Sequence, residues 1–182
     1  MHPKDNAEKL SKLLNPREEG FDANAAVVVL LREKEQDFQV LLAKRAEKTD
    51  DPWSGQTALP GGKRNPEDRD LMETVVRETL EETSINLLEG CRFLGTMEPL
   101  RSKRKPDVKI LPFVVLLEKE MTIKLNEELT EYLWISLREL VQDKGTAKFS
   151  FGEYPAYIIE KHVIWGLTYR ILGRLFRILE SS

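Results

Sequence analysis

One segment, from residue 66 to about residue 83, constrains the fold of this chain more than any other because it has the pattern of an amphipathic helix. Asn65 is a residue type that caps helices, and Pro66 suits a first turn, where a missing N–H costs nothing. Glu67 and Asp68 complement the positive end of the helix dipole. The pattern predicts a long helix that begins at Pro66.

Three glutamates near the end of this helix share one face. On a helix that turns about 100° per residue, setting Glu78 at zero puts Glu81 at about 300° and Glu82 at about 40°. The opposite side carries mostly apolar residues: Met72, Val75, Val76, Thr79, Leu80 and Thr83. One face of the helix can therefore be buried while the other presents a cluster of carboxylates.

Strands are predicted on both sides of this helix. Dense runs of β-branched and apolar residues predict them at 25–33, 38–45, 91–99, 108–118 and 131–136, with shorter strands at QTAL, KFSF and PAYII. Further helices are predicted before Pro16, at SLRELV and over 162–180. This order favours an α+β layered fold. We expect residues 1–20 to be an N-terminal helical extension and residues 21–182 to be a single domain.

Composition narrows the classes of function. With 28 basic and 31 acidic side chains, the formal net charge of -3 argues against generic binding of nucleic acid or a membrane surface. Cys91 is the only cysteine, which excludes an intrachain disulfide and a cysteine-rich zinc site. No apolar run approaches the roughly 20 residues that span a bilayer, and the polar N-terminus lacks the apolar core of a signal peptide. We therefore expect a cytoplasmic protein.

The clustered carboxylates have two explanations. Three like charges this close raise one another's pKa values unless a cation neutralises them, and Mg²⁺ prefers carboxylates together with substrate phosphates. Amphipathic helices with solvated glutamates are also common. The upstream LPGG at 59–62 favours the first explanation, because paired glycines let a backbone run close to a metal or phosphate. Arg77 could brace this loop or a glutamate. The pattern as a whole indicates a metal–diphosphate site.

Residues 59–85, LPGGKRNPEDRDLMETVVRETLEETSI, resemble the Nudix box, a loop–helix motif of the form G-x5-E-x7-R-E-U-x-E-E-x-G-U, where U is aliphatic. Arg77, Glu78, Glu81 and Glu82 match R-E-U-x-E-E, with a threonine at the first aliphatic place. The combination of these residues with an upstream P-G-G is highly specific for this family.

Three departures from the box stand out. There are 14 residues between Gly62 and Arg77, one more than is usual for the family. Counting back from Arg77, the upstream glutamate of the box falls on Arg69, which is flanked by two aspartates. Ser84 occupies the place of the last glycine, and a left-handed backbone there would cost a serine about 1 kcal/mol.

The longer loop is similar to that of the coenzyme A diphosphatase branch of the Nudix hydrolases. Further segments resemble this branch or the wider family: LLAKR followed by WSGQTALPGG, EELTEYLWISL, and VIWGLTYRIL. The resemblance implies a Nudix fold, an α/β/α sandwich around a mixed β-sheet, and hydrolysis of a diphosphate bond in coenzyme A or its derivatives. ADP-ribose or another nucleoside diphosphate sugar is the alternative substrate. A non-catalytic Nudix-like ligand sensor is the alternative of another class.

The resemblance also implies a metal site. Glu78, Glu81, Glu82 and the carbonyl of Gly62 are expected to hold Mg²⁺ or Mn²⁺. Arg77 is expected to have a structural role. Glu82 and Glu78 are in addition the first candidates for catalytic residues.

Glu128 is the third catalytic candidate because it matches the glutamate that precedes a family strand, although a solvated turn residue is an equal alternative. The residues expected to bind substrate are Lys44, Arg45, Trp53, Gly61 and Gly62. The first two also suit a strand end, and the tryptophan also suits loop packing. The basic run at 101–105 could attract the extra phosphate of coenzyme A. The apolar face of 162–180 suits packing on its own sheet or on a second subunit, so a homodimer is one expected assembly.

Overall fold

The structure, a computed structural model, describes residues 3–16, 21–51 and 53–181. Its helices are α1 (Pro3–Leu13), α2 (Leu71–Thr83), α3 (Leu137–Gln142) and α4 (Gly166–Glu180). Its strands are β1 (Ala25–Lys34), β2 (Asp37–Arg45), β3 (Thr57–Ala58), β4 (Gly61–Lys63), β5 (Cys91–Thr96), β6 (Leu100–Arg101), β7 (Lys109–Leu117), β8 (Leu129–Ser136), β9 (Lys144–Phe149), β10 (Gly152–Ile159) and β11 (His162–Trp165).

The central sheet is mixed. Its strand order is β3-β2-β1-β7-β5, with β4 paired to β1, β6 to β7 and β8 to β2. β1 and β7 run parallel, and the other pairs are antiparallel. The sequences AAVVVLL and ILPFVVLL suit these two central strands because both faces of each are covered. Glu35 and Gln36 turn the chain between β1 and β2 with positive φ, the backbone that a tight hairpin requires.

Helices cover both faces of this sheet. Alternate residues of β1 and β2 enter one apolar cluster with α1, α3 and α4: Val29, Leu31, Val40 and Leu42. The residues between them face the other side and pack against Leu71 and Val75 of α2: Val28, Leu30 and Leu41. The predicted α+β class and the α/β/α sandwich around a mixed sheet are therefore confirmed.

The predicted N-terminal helix is also confirmed. It ends at Leu13, before Pro16, and packs Ala7 and Leu10, together with Leu14 just after it, into the cluster shared with α4. The division of the chain at residue 20 stays a prediction, and residues 17–20 lie outside the described residues.

The glutamate helix begins later than predicted. It starts at Leu71, not at Pro66, and its N-cap is Asp70, whose carboxylate accepts an N–H of the first turn. Asn65 does not cap the helix; its N–H donates to Asp68 Oδ2 at 2.9 Å. The Asp68 carboxylate also binds a distant arginine, so residues 65–70 form a turn around it rather than a first helical turn.

The prediction of one helix over 162–180 is wrong at its start. His162–Trp165 form β11, which pairs with β10 in a small three-stranded sheet, β11-β10-β9. Gly166, with φ +63°, breaks the strand, and α4 begins there. Apolar spacing could not separate the two structures, because Ile164 is buried either way and β10 supplies the hydrogen bonds of a strand. β10 confirms the predicted strand at PAYII, whereas β9 ends at Phe149 and includes only the first half of the strand predicted at KFSF.

The apolar face of α4 packs on the chain's own sheet. Ile171, Leu172, Leu175 and Phe176 are buried in the cluster shared with α1. A homodimer stays a prediction. Across the three described ranges, no helix combines the length and the apolar character needed to cross a membrane.

Candidate active site

Two glycines bring the loop before α2 against the helix. Gly61 has φ +146° and pairs with Val27 of β1, where an added Cβ would lie 2.2 Å from the Ala26 carbonyl oxygen. An added Cβ at Gly62 would lie 2.6 Å from the carboxyl carbon of Glu78. The neighbours of Gly61 are backbone atoms, so the close approach there requires glycine, whereas a side chain at Gly62 would displace the Glu78 carboxylate from the loop.

Glu82 is a buried carboxylate at the end of α2. The residue is 3% exposed, and its Oε2 accepts the Gly61 N–H at 3.0 Å. Burial raises the pKa of Glu82 to about 8; the charges of Glu78 and Glu128 act in the same direction, and the hydrogen bond from Gly61 opposes them. Burial also raises the pKa of Glu78, against the lowering effect of Arg77. The positive charge around this end of the helix is therefore not enough to offset the burial of its carboxylates.

Arg77 connects the glutamates to the turn before the helix. Its Nε and Nη2 donate to the two oxygens of Asp68 at 2.9 and 2.8 Å, and its Nη2 also donates to the Lys63 carbonyl at 3.3 Å. Its Nη1 donates to Glu78 Oε1 at 2.9 Å and to Glu81 Oε2 at 3.4 Å. These contacts place the guanidinium between the loop and the helix, where it holds the two together.

Asp68 is the buried partner of this arginine. Its Oδ2 also accepts the Asn65 N–H and the Thr74 hydroxyl, at 2.9 and 3.0 Å. The hydrogen bonds from Arg77 are the main reason that the pKa of Asp68 lies well below its usual range. The same pairing raises the pKa of Arg77 above its ordinary value. Sequence reasoning assigned Asp68 only to the helix dipole. Its place next to Arg69, where the upstream glutamate of the Nudix box falls, was the signal that this carboxylate could bind Arg77.

The three helix glutamates line one cavity but do not yet converge. Glu81 is 55% exposed and turns toward Arg77, while Glu82 binds the loop N–H. Across residues 3–16, 21–51 and 53–181, no three carboxylate, imidazole or thiol groups form a ready-made ligand set. The donor chemistry nevertheless fits a hard divalent cation, since the half-buried Glu78 and the buried Glu82 carboxylates both lie against the glycine loop and line the cavity.

This cavity, of about 470 Å³, brings most of the predicted site residues together. Its walls include Arg45, Trp53, Gly61, Gly62, Arg77, Glu78, Glu81, Glu82 and Glu128. Arg45 is held by Asp51, with Nε 3.0 Å from Oδ2. Val108, Leu167 and Ile171 supply an apolar side. The volume is in the range of small-molecule sites, which combine apolar walls with a few fixed polar groups.

Glu128 reaches the cavity from a loop that is tied to the end of α2. The Lys124 and Asn126 N–H groups donate to the carbonyls of Thr83 and Glu82, at 3.0 and 3.1 Å. Lys44, in contrast, is not brought to this cavity. Its side chain lies at a neighbouring one, 3.9 Å from Glu131.

Sequence reasoning missed two residues that shape the cavity. Asp51 orients Arg45, and Gln56 lies on the wall where the neighbouring cavities meet. Both belong to a loop without periodicity, so no pattern in the sequence distinguished them from other turn residues.

An α/β/α sandwich whose cavity combines a glycine loop, a braced arginine and three glutamates defines a hydrolase of diphosphate bonds. The profile of the NUDIX domain matches residues 22–156, and the chain belongs to this family. Members of the family generally use divalent metal ions and act on small-molecule nucleotides.

The chain is similar to two named Nudix proteins. The chain is 29% identical over 181 residues to "Uncharacterized Nudix hydrolase NudL" of Yersinia enterocolitica, covering 90% of this chain and 87% of the relative. It is also 29% identical over 154 residues to "Mitochondrial coenzyme A diphosphatase NUDT8" of Homo sapiens, covering 80% of this chain and 65% of that protein. The chain thus spans just under two thirds of the human relative's length.

The fold recurs in solved structures. A MutT/nudix family protein from Enterococcus faecalis superposes with a TM-score of 0.59 at 21% identity, over 92% of this chain and 66% of that one. At this level of identity the likeness shows the fold.

Proposed function

We propose that this Nudix hydrolase cleaves the diphosphate bond of coenzyme A or its derivatives, with Mg²⁺ or Mn²⁺ as cofactor. The observation that carries the proposal is the single cavity that joins Glu78, Glu81 and Glu82 to the glycine loop, with Arg45 and Trp53 on its wall. The likeness to a coenzyme A diphosphatase supports this choice of substrate.

Glu78, Glu81, Glu82 and the Gly62 carbonyl would hold the metal. A bound divalent cation supplies charge neutralisation for the phosphoryl oxygens and lowers the pKa of bound water. The chain's own contribution is to keep these donors in place. Arg77 does so by binding Glu78 on one side and the Lys63 carbonyl on the other.

A carboxylate must accept a proton from the attacking water. Glu82 and Glu78 are candidates because both carboxylates line the cavity and lie against the glycine loop. Glu128 is the third candidate, since it faces the same cavity from the opposite loop.

Arg45 and Trp53 would position the substrate. Arg45 is fixed by Asp51 and can bind a phosphate oxygen with its remaining N–H groups. Trp53 offers an aromatic face to a base or to an apolar arm. Gly61 and Gly62 allow the diphosphate to approach the backbone closely.

A screen of diphosphates with each metal tests the proposal. Purified protein is incubated with coenzyme A, ADP-ribose and nucleoside diphosphate sugars, with Mg²⁺, with Mn²⁺ or with EDTA, and products are resolved by mass. We expect phosphopantetheine and adenosine 3′,5′-bisphosphate from coenzyme A, and no products with EDTA. Preferred cleavage of ADP-ribose would show that the alternative substrate, and not coenzyme A, is the correct one. No cleavage of any diphosphate would favour a ligand sensor, although this chain keeps all three box glutamates.

The expected partners and location stay predictions. We propose a small-molecule substrate, no nucleic-acid partner and a cytoplasmic location. The human relative is named mitochondrial, so fractionation of cells that produce this protein is the measurement that decides its location.

A further inference from the structure

A second cavity, of about 800 Å³, opens beside the first, and the proposed chemistry leaves it unused. We call it the basin; its walls include Lys44, Arg104, Lys105, Lys161, Phe151 and Trp165. Asp51 and Gln56 line both cavities, so the two meet at the loop after β2. A substrate whose diphosphate lies at the glutamates can therefore extend into the basin.

The basin has an excess of positive charge. Four cationic side chains line it: Lys44, Arg104, Lys105 and Lys161. Two carboxylates line it as well, and one of them, Asp51, is already bound by Arg45. Glu131, just outside, lies 3.1 Å from Lys161 and 3.9 Å from Lys44. Arg104 and Lys105 reach the basin from the linker between β6 and β7, and the carboxylates among the described residues of its wall are Asp50 and Asp51.

An aromatic cluster forms another part of the basin wall. The rings of Phe149 and Phe151 stack with centroids 5.0 Å apart and planes 3° apart, and the Trp165 ring lies 4.6 Å from that of Phe149. Phe151 is 55% exposed. The Arg104 guanidinium lies 5.9 Å from the Phe151 ring centroid. Exposed flat rings beside cationic groups suit a ligand that is both planar and anionic.

Lys105 joins this wall to the first cavity. Its Nζ lies 5.2 Å from the centroid of the Trp53 ring, which faces the glutamates' cavity. A phosphate group near Lys105 would thus be placed between the aromatic wall and the cavity where the diphosphate is cut.

We propose that the basin binds the nucleoside end of the substrate and selects a nucleoside that carries a second phosphate. The base stacks on the wall formed by Phe151 and Trp165, and the additional phosphate binds Lys105 and Arg104. This inference rests on the proposed function and deepens it. It also gives Lys44 a place in substrate binding, at the basin and not at the glutamates.

Direct binding tests the inference without turnover. Adenosine 3′,5′-bisphosphate and adenosine 5′-monophosphate are titrated into the full chain by calorimetry, in EDTA. We expect the bisphosphate to bind about 10-fold more tightly, the effect of one hydrogen-bonded charge pair at a partly exposed site. Equal affinities, or no binding of either nucleotide, would overturn the inference.

Two variants separate the phosphate from the base. Lys105→Ala should weaken bisphosphate binding by about 5- to 10-fold and monophosphate binding far less. Phe151→Ala should weaken both nucleotides by a similar factor of about 5, because stacking does not depend on the second phosphate. Lys148→Ala is the control: it removes an exposed lysine of β9, paired with Glu153, that is not among the residues lining the basin. The inference fails if Lys105→Ala and Lys148→Ala behave alike.

Turnover distinguishes failure of this inference from failure of the proposed function. If coenzyme A is cleaved, its kcat/KM relative to dephospho-coenzyme A should fall in Lys105→Ala and not in Lys148→Ala. An unchanged ratio would overturn the subsite while leaving the diphosphatase intact. If coenzyme A is not cleaved at all, the proposed function fails, and the nucleotide titrations still decide whether the basin selects a second phosphate.

Discussion

The turn before α2 and the last turn of α2 each bury a carboxylate, and the pKa values of these two groups shift in opposite directions. Asp68 accepts two hydrogen bonds from Arg77, one from the Asn65 N–H and one from the Thr74 hydroxyl, and its pKa is lowered. Glu82 accepts a single hydrogen bond from Gly61, and burial raises its pKa to about 8. The first carboxylate is fully paired, whereas the second is not.

The two carboxylates are therefore expected to have different roles, one in holding the structure and one in the function. A buried charge with a complete set of partners holds the loop and the helix in a fixed relation. A buried carboxylate that lacks a cationic partner is costly, and such groups are concentrated at sites that bind a ligand or transfer a proton. We therefore propose that Asp68 and Arg77 position the loop and the helix, and that Glu82 takes part in the chemistry.

Removing the paired charge should have the largest effect on stability. Asp68→Asn removes the buried carboxylate that binds the half-buried guanidinium of Arg77, which keeps Glu78 and Glu81 as partners. It should lower the free energy of unfolding by about 2 to 3 kcal/mol, as measured by urea denaturation. The matched control is Asp70→Asn, which keeps a side chain that can cap α2 and should change stability by only a few tenths of a kcal/mol. A loss below about 1 kcal/mol in Asp68→Asn would contradict the structural role of the paired carboxylate.

Removing the unpaired charge should affect turnover instead. Glu82→Gln is expected to lower kcat/KM for the preferred diphosphate by about 100-fold or more, because it removes a metal ligand or proton acceptor. Its thermal unfolding should stay close to that of the unaltered protein. The control is Glu73→Gln, on the same helix and outside the cavity. Full activity in folded Glu82→Gln protein would contradict the assignment.

The stability contributed by Asp68 should depend on pH. Because the pKa of Asp68 is lowered by folding, its stabilising contribution is complete above its ordinary value of 3.8 and is lost as pH falls through the lower folded value. The stability difference between the unaltered protein and Asp68→Asn should therefore shrink by about 2 kcal/mol on acidification from pH 6 toward pH 2. Denaturant titrations at several pH values measure this difference, and a constant gap between the two proteins would argue against the shifted pKa.

The smallest effect is expected at the C-cap of α2. Ser84 has φ 63°, a left-handed backbone that costs a serine about 1 kcal/mol, while its hydroxyl donates to the Lys124 carbonyl at 3.1 Å. Ser84→Gly should raise the free energy of unfolding by up to about 1 kcal/mol, because strain is relieved and one exposed hydrogen bond is lost. Ser84→Ala, which loses the bond and keeps the strain, should be the less stable of the two. The reverse order would show that the hydroxyl matters more than the backbone.

The comparison between the two ends of α2 also shows how far the sequence could predict the structure. The spacing of Glu78, Glu81 and Glu82 predicted a shared face, and LPGG predicted the close loop, because both depend on local geometry. The start of the helix was not predictable in this way. Asp68 leaves the helical pattern to bind Arg77, and a contact over this separation has no signal in a local periodicity.

Long-range packing explains the remaining differences. Leu80 was expected on the buried face but is 45% exposed, while Glu82 is 3% exposed, because β4 lies over the glutamate. Residues 162–165 join a strand because β10 is there to pair with them. The basin depends on contacts between Arg104 and the rings of β9–β11, which are distant in the sequence.

A titration of Mn²⁺ by calorimetry tests the central assignment most directly. It compares the unaltered chain with the variant in which Glu78, Glu81 and Glu82 are all glutamine, at pH 7 and in the absence of substrate. We predict a defined divalent-metal site in the unaltered chain whose affinity falls by at least about 10-fold in the variant, because oxygen ligands with negative charge bind such cations. Equal Mn²⁺ affinity in two folded proteins would contradict the assignment of this helix end to metal binding.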